Sequence, residues 1–279
     1  MAVIQLNPPA RRASASPYVI RAVGEYAVAS LAPDLPVCAR CGGSGRIVAI
    51  KGDVRAVGRC RCQLEPDRVS LFNHAELPAR HAQSTLGSFS LGMEGAAKAM
   101  ATVAAWMDRL SRAMAARETM PGLVLHGAVG RGKTHLLVGI VRWLILEHGV
   151  EVRFVEFSRL LAQLREGFDK GQSDRTMLND LVSVPILAID ELGKGRLTDW
   201  ELSVVDELIS RRYDALGCTL GTTNYPPAIA TGRGAANLAE GARMQQSLGD
   251  RVGERVYSRL REMCELVEVS GLDFRALRG

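Results

Sequence analysis

The run Gly127-Ala128-Val129-Gly130-Arg131-Gly132-Lys133-Thr134 has the residue types and spacing of a loop that cradles a phosphate chain, and it matches G-x-x-x-x-G-K-[ST] at every specified position. Glycines let the backbone curl until successive N–H groups converge on one phosphate. A helix beginning near Lys133 adds the positive end of its dipole. Lys133 brings a point charge to the β and γ oxygens of a triphosphate such as ATP, and the hydroxyl of Thr134 is a ligand for Mg2+. The stretch within reach of a nucleotide runs on to His135.

Such a site also needs an acid at the end of a neighbouring strand. Pro185-Ile186-Leu187-Ala188-Ile189-Asp190-Glu191 supplies one, a strand–helix unit further along the chain. Asp190 would hold Mg2+ directly or through water, and Glu191 would polarise the attacking water as general base. A polar residue at the end of the next strand, Asn224 after Leu220-Gly221-Thr222-Thr223, would orient that water or sense the γ-phosphate.

A second chemistry is carried by cysteine. Cys38-x2-Cys41 and Cys60-x-Cys62 are two close pairs, each able to form half of a tetrahedral thiolate site for Zn2+. Four thiolates leave no open position, so the expected zinc is structural. The CxxCxGxG run at Cys38–Gly45 also occurs in J-domain chaperones, but there as repeats, and here it stands once. Cys218 and Cys264 lie alone in predicted strands and are expected to be buried. His74 and His81 are expected at the surface, not as ligands.

The elements that must position these residues follow from periodicity. Residues 95–117 form an amphipathic helix with Met100, Val103, Met107, Leu110 and Met114 on one face and Trp106 beside it. From Pro121 onward strands and helices alternate. The predicted strands are Gly122–His126, Val150–Glu156, Pro185–Asp190, Cys218–Thr222 and Leu266–Val269. The predicted helices are Lys133–Glu147, Arg159–Phe168 and Trp200–Leu216. That order predicts a parallel sheet covered on both faces. Residues 1–36 are rich in Pro, Ala and Ser and read as a disordered start, with room for a short helix within Val19–Leu31.

At 279 residues the chain can hold one α/β domain and a smaller appendage. No apolar run approaches the roughly 20 residues of a membrane span. Arg11-Arg12 leads into Ala-Ser-Ala-Ser-Pro without an apolar core, so no secretion signal is read and a cytoplasmic location is expected. The net charge of +5 is matched by the cysteine segment alone, where Arg40, Arg46, Lys51, Arg55, Arg59 and Arg61 face only Asp53. Either these cations meet an acidic partner, nucleic acid or protein, or they offset the charge of bound thiolates.

In order, GAVGRGKTHL, LAIDELG, LGTTNYPP and RVYSRLREM resemble the AAA+ ATPases of the DnaC/DnaI helicase-loader group and the related IstB-type helper ATPases of transposition. The resemblance covers about residues 77–279. It implies an α/β AAA+ P-loop NTPase with a central parallel sheet flanked by helices, plus the small N-terminal zinc-binding module that DnaI-type loaders carry. The implied division is a flexible segment 1–36, a zinc module 37–64, a linker 65–94 and an ATPase domain 95–279. By the same likeness, Arg259 first and Arg255 second would act as an arginine finger on a neighbouring subunit's γ-phosphate. Arg275, in Gly271-Leu272-Asp273-Phe274-Arg275, would contact ATP in cis. With only four residues after it, no full helical lid is expected.

The implied activity is ATP hydrolysis with Mg2+, and the implied partners are a hexameric replicative DNA helicase, single-stranded DNA and further copies of the chain. The alternative keeps the same core but pairs it with a transposase and double-stranded DNA. A small-molecule P-loop kinase is a third reading; it would need an acceptor pocket and no finger. Lys194, Arg196 and Arg233 are candidate DNA contacts, although no aromatic residues interleave with them in sequence. Ala228–Leu248 departs from the family pattern as a polar, Gly/Ala-rich insertion, either a partner or DNA contact or a solvated loop.

Overall fold

The computed structural model describes residues 16–51, 54–90, 94–171, 174–195, 197–227, 246–271, 273 and 274. The chain divides into two units, Met1–Gln83 with Val141–Val152, and Ser84–Ile140 with Arg153–Gly279.

In the first unit, β1 (Tyr18–Val23) and β2 (Tyr26–Leu31) form an antiparallel hairpin. The helix expected within Val19–Leu31 is therefore corrected to strand. Gly24 takes φ +58° in the two-residue connection, a backbone state that tight hairpins need. The β-branched and aromatic residues on both sides favour extended chain. Ala27 and Ala29 of β2 are buried, and α1 (Leu64–His74) packs over them. The Asn73 amide accepts from Ala29 N–H at 2.8 Å and donates to Ala29 C=O at 3.2 Å, replacing a missing strand neighbour. The stretch expected as a connector thus contributes a helix. A second hairpin, β3 (Arg46–Lys51) and β4 (Val54–Arg59), pairs Arg46 with Arg59 at its open end.

The second unit is built on a central parallel sheet flanked by helices. Its strand order is β6 (Val152–Glu156), β7 (Ile186–Asp190), β8 (Cys218–Thr223), β5 (Gly122–His126), β9 (Cys264–Glu268). Register aligns Leu125 with Thr222 and Ile189 with Gly221, so β5, β7 and β8 end at the same edge. That carboxyl edge is where open α/β sheets hold ligands.

The flanking helices are α2 (Glu94–Ala116), α3 (Lys133–Leu146), α4 (Phe157–Asp169), α5 (Asp174–Ser183), α6 (Asp199–Asp214), α7 (Leu248–Val252) and α8 (Glu254–Met263). The buried face of α2 is Ala96, Ala99, Val103, Trp106, Leu110 and Ala113. It is rotated from the expected methionine stripe, because Trp106 turns inward and donates its Nε1–H to Gly122 C=O at 3.1 Å. Small alanines let the helix approach, and the three methionines line its margin. A single apolar cluster joins α4, α5, α6, α7 and α8 to β6, β7 and β5.

Two charged side chains among the described residues lie wholly inside this unit, Asp190 and Arg212. Arg212 of α6 is 0% exposed. Its guanidinium donates to the carbonyls of Leu181 (2.7 Å), Val182 (3.3 Å), Val184 (3.0 Å) and Cys218, and to Thr219 Oγ1 (3.1 Å). Leu181 and Val182 end α5, where helical carbonyls lack partners and favour a cation. Burial pushes Arg212 down to about 10, which leaves it charged at neutral pH.

Candidate nucleotide site and its surroundings

The phosphate loop leaves β5 and enters α3, as strand–loop–helix order requires. Gly127 takes φ +140°, and a Cβ there would sit 2.4 Å from Val269 C=O, so only glycine lets the chain pass the end of β9. Gly132 takes φ +86° with Phe89 2.7 Å from where a Cβ would stand. Lys133 is buried, and its ammonium donates to the carbonyls of Gly127 (2.8 Å) and Ala128 (2.7 Å), which holds the charge at the mouth of the loop. Val129, Gly130 and Arg131 form the outer arc, with Val129 exposed.

The two motifs meet. The Thr134 hydroxyl lies 2.9 Å from Asp190 Oδ1 and 3.2 Å from Oδ2, and Asp190 is 0% exposed. These hard oxygen donors, a hydroxyl and a carboxylate beside a phosphate loop, fit Mg2+. Thr222, at the end of β8, donates to Asp190 Oδ1 at 2.6 Å and accepts from Glu191 N–H at 2.9 Å. Sequence reasoning passed over Thr222 in favour of Asn224, which stands beyond the strand and is half-buried. The usable signal was the sheet register, which no single sequence prints. Glu191 adopts φ +58°, a sparsely populated state for a side chain with a Cβ. The bonds from Glu191 N–H to Thr222 Oγ1 and from Leu192 N–H to Thr222 C=O (2.7 Å) hold it there.

His135 follows the loop in the first turn of α3. Its Nε2 lies 2.9 Å from Thr85 C=O and 3.1 Å from Ser88 Oγ, with Phe89 against its ring. Phe274 N–H donates to Gly130 C=O at 3.0 Å and its ring meets Phe89, so the C-terminal segment reaches the phosphate loop. Arg275 itself lies outside the described residues, as do Arg196, Arg233 and most of the 228–248 insertion. Arg255 is exposed on α8, whereas Arg259 is half-buried and paired with Asp206 of α6 at 2.9 Å.

A second cluster was not visible in the sequence. Phe168, at the end of α4, is 52% exposed and packs on Trp200 in the first turn of α6, with ring centroids 5.9 Å apart. The Arg165 guanidinium lies 5.8 Å from the Trp200 ring centroid and pairs with Glu201 at 3.1 Å. A capping box between Thr198 and Glu201 sets the start of α6 and so the place of Trp200.

In the first unit the four cysteines converge. The Sγ atoms of Cys38, Cys41, Cys60 and Cys62 all lie within 4.8 Å of one another, with Cys38–Cys60 at 3.8 Å and Cys41–Cys62 at 3.5 Å. Tetrahedral Zn–S bonds of 2.3 Å put sulfurs about 3.8 Å apart, so the set fits Zn2+. The β3–β4 hairpin joins the two halves, with Cys60 N–H donating to Gly45 C=O at 2.9 Å. Burial alone would push Cys41 up, but the Gly45 N–H and neighbouring thiols hold it down to about 6. Cys218 and Cys264 are buried in their strands, as expected.

With this geometry established, comparison with known proteins decides the family. The profile of the IstB-like ATP binding proteins matches residues 110–276. The chain belongs to the IstB-like ATP-binding protein family. This IstB-like chain is also similar to the replicative helicase loader DnaC of Escherichia coli K12, 24% identical over 186 residues, 66% of this chain and 67% of that protein. A crystal structure of the DnaC helicase loader superposes with a TM-score of 0.56 at 27% identity, over 68% of this chain and 99% of the other. AMPPCP-bound DnaA from Aquifex aeolicus shares the fold, with TM-score 0.51 at 21% identity over 67% of this chain and 50% of that one. The IstB-like core is thus an AAA+ fold of an ATP-binding family. No helix among the described residues is long and apolar enough to cross a membrane.

Proposed function

We propose that this chain is an ATP-hydrolysing loader that places a replicative helicase on single-stranded DNA. The observation that carries the DNA part is the exposed Phe168 ring packed on the partly buried Trp200, with Arg165 over the latter. Stacked aromatic rings beside a guanidinium suit unpaired bases, because every base has a π-face. The likeness to DnaC supports the helicase as partner.

In the proposed hydrolysis, the loop and Lys133 hold the triphosphate while Thr134 and Asp190 hold Mg2+, which offsets the negative charge of the β and γ oxygens. Water gives a proton to Glu191 as its oxygen bonds to the γ-phosphorus. The bond from that phosphorus to the β,γ-bridging oxygen breaks, and ADP and phosphate leave. Arg259 or Arg255 of an adjacent copy would neutralise the transferring phosphoryl group, so turnover would follow assembly. The cysteine module would hold Zn2+ and dock the helicase. The IstB-like family match favours a second reading in which the partner is a transposase.

The test is fluorescence anisotropy with a single-stranded oligothymidine and ATP, using Glu191→Gln to block hydrolysis. The Phe168→Ala, Trp200→Ala double variant is expected to bind at least about tenfold more weakly, from base–aromatic stacking of roughly 1–3 kcal/mol per base. Unchanged affinity would sink the DNA assignment. Co-purification that recovers a hexameric helicase supports the loader, and one that recovers a transposase instead overturns it.

A further inference from the structure

A glutamine stands beside the four cysteines, in a place that their spacing does not explain. Gln63 ends the short turn Arg61–Gln63 that follows Cys60. Its backbone N–H donates to Cys60 C=O at 3.0 Å, which fixes the residue next to the second cysteine pair. Its side chain is partly buried and turns back over that pair, where Nε2 lies 3.7 Å from Cys62 Sγ. The same amide lies against Gly45, where an added Cβ would stand 2.6 Å from Gln63 Nε2 and 2.8 Å from Cδ. Gly45 also takes φ +69°, so backbone shape and space both demand glycine. The last glycine of the CxxCxGxG run therefore turns the chain and also leaves the room in which the glutamine amide sits.

Four thiolates around one dication leave negative charge on the sulfurs, and an amide NH2 is a donor that can meet it. Donors that bind the ligands rather than the metal orient them and hold them against loss. Arg40, Arg46, Arg59 and Arg61 are exposed, so water and salt screen their attraction. Gln63 instead meets sulfur directly. Cys62 has particular need of a donor, because its Sγ lies 3.5 Å from Cys41 Sγ, closer than Cys38 lies to Cys60, and like charges repel most at the shortest separation.

We infer that Gln63 is a positioning residue of the zinc site, whose amide donates to the Cys62 thiolate and holds that ligand on the metal, in the space that Gly45 leaves open. The inference rests on the proposed binding of Zn2+ by the cysteine module. Removing the amide keeps all four ligands but strips one sulfur of its donor. The metal is then held less tightly, and Cys62 gives up electron density more readily than before.

The experiment compares the full chain with Gln63→Met, which keeps length and bulk but removes the donor, and with Gln63→Glu, which sets a carboxylate against the thiolate. Zinc affinity is read by competition with a chromogenic chelator. The thiolate itself is read by the sulfur-to-metal charge-transfer band of the Co2+-loaded chain. Gln63→Met is expected to bind zinc about tenfold more weakly, the lower end of what a lost ligand-orienting partner costs. Its charge-transfer band is expected to move to longer wavelength, because a sulfur without a donor releases an electron more easily. Gln63→Glu should lose more affinity than Gln63→Met, through repulsion between carboxylate and thiolate. Should Gln63→Met fail to fold, Gln63→Leu carries the same expectation. Unchanged affinity in Gln63→Met overturns the inference, since packing against Gly45 would then be the residue's whole role. Lower affinity without the band shift overturns it as well, because a structural defect gives that result. In both cases a wild-type chain that binds zinc leaves the proposed module standing. A wild-type chain that takes up neither Zn2+ nor Co2+ overturns the module and the inference together.

Discussion

At the scale of single residues, Thr222 is the least conspicuous and the most connected of the site groups. It lies in a buried strand of ordinary composition, yet its hydroxyl touches Asp190 and its oxygen accepts from Glu191 N–H. A fully buried carboxylate needs such donors. Thr222→Val keeps shape and β-propensity while removing the hydroxyl. It is expected to lower unfolding free energy by about 1–3 kcal/mol through the unsatisfied partners, and to weaken Mg2+-dependent nucleotide binding. Chemical denaturation and titration with a fluorescent ATP analogue check the two effects separately. Asn224 was the sequence candidate because it ends the polar run, but it stands one residue past the strand, and only Thr222 is in register with the acids.

At the scale of elements, each site residue depends on a specific helix end or strand end. Arg212 is the strongest case, a guanidinium that closes the C-terminus of α5 and ties it to the start of β7 and β8. Arg212→Met fills the space but leaves several buried carbonyls without donors. A loss of about 3–5 kcal/mol in unfolding free energy is expected, the range for stripping one side of a buried polar network. Lys in its place, with a point charge and no fork, should recover only part. Denaturant midpoints for the two variants read this directly. The α8 arginines divide by environment. Arg259 is engaged with Asp206 in its own chain, whereas Arg255 is exposed one helical turn earlier. Family resemblance ranks Arg259 first, and exposure alone would rank Arg255 first.

At the scale of the whole molecule, the cysteines belong to the first unit and the phosphate loop and acids to the second. The four thiols converge within the one, and Thr134 meets Asp190 within the other. The full chain is expected to carry one zinc ion. Removing it with a chelator should raise amide hydrogen exchange between Cys38 and Cys62, because metal binding is part of that module's folding free energy. ATP affinity, measured on the same sample, should not change; a parallel loss would overturn the independence of the two sites.

The sequence by itself determined the phosphate loop, the acids at Asp190 and Glu191, the four-cysteine set and the alternation of strands and helices. Each of these is a local pattern, whose spacing is imposed by one loop, one strand or one helical period. Only the tertiary structure decided that Thr222 completes the acid pair, that Lys194 holds Glu191, and that Phe168 and Trp200 form one surface. It also decided that residues 18–31 form a hairpin and that Trp106 faces inward. The physical reason is the same throughout. Sheet register and helix packing bring together residues far apart in sequence, and the free energy that selects those contacts comes from burial across elements, which no local window contains.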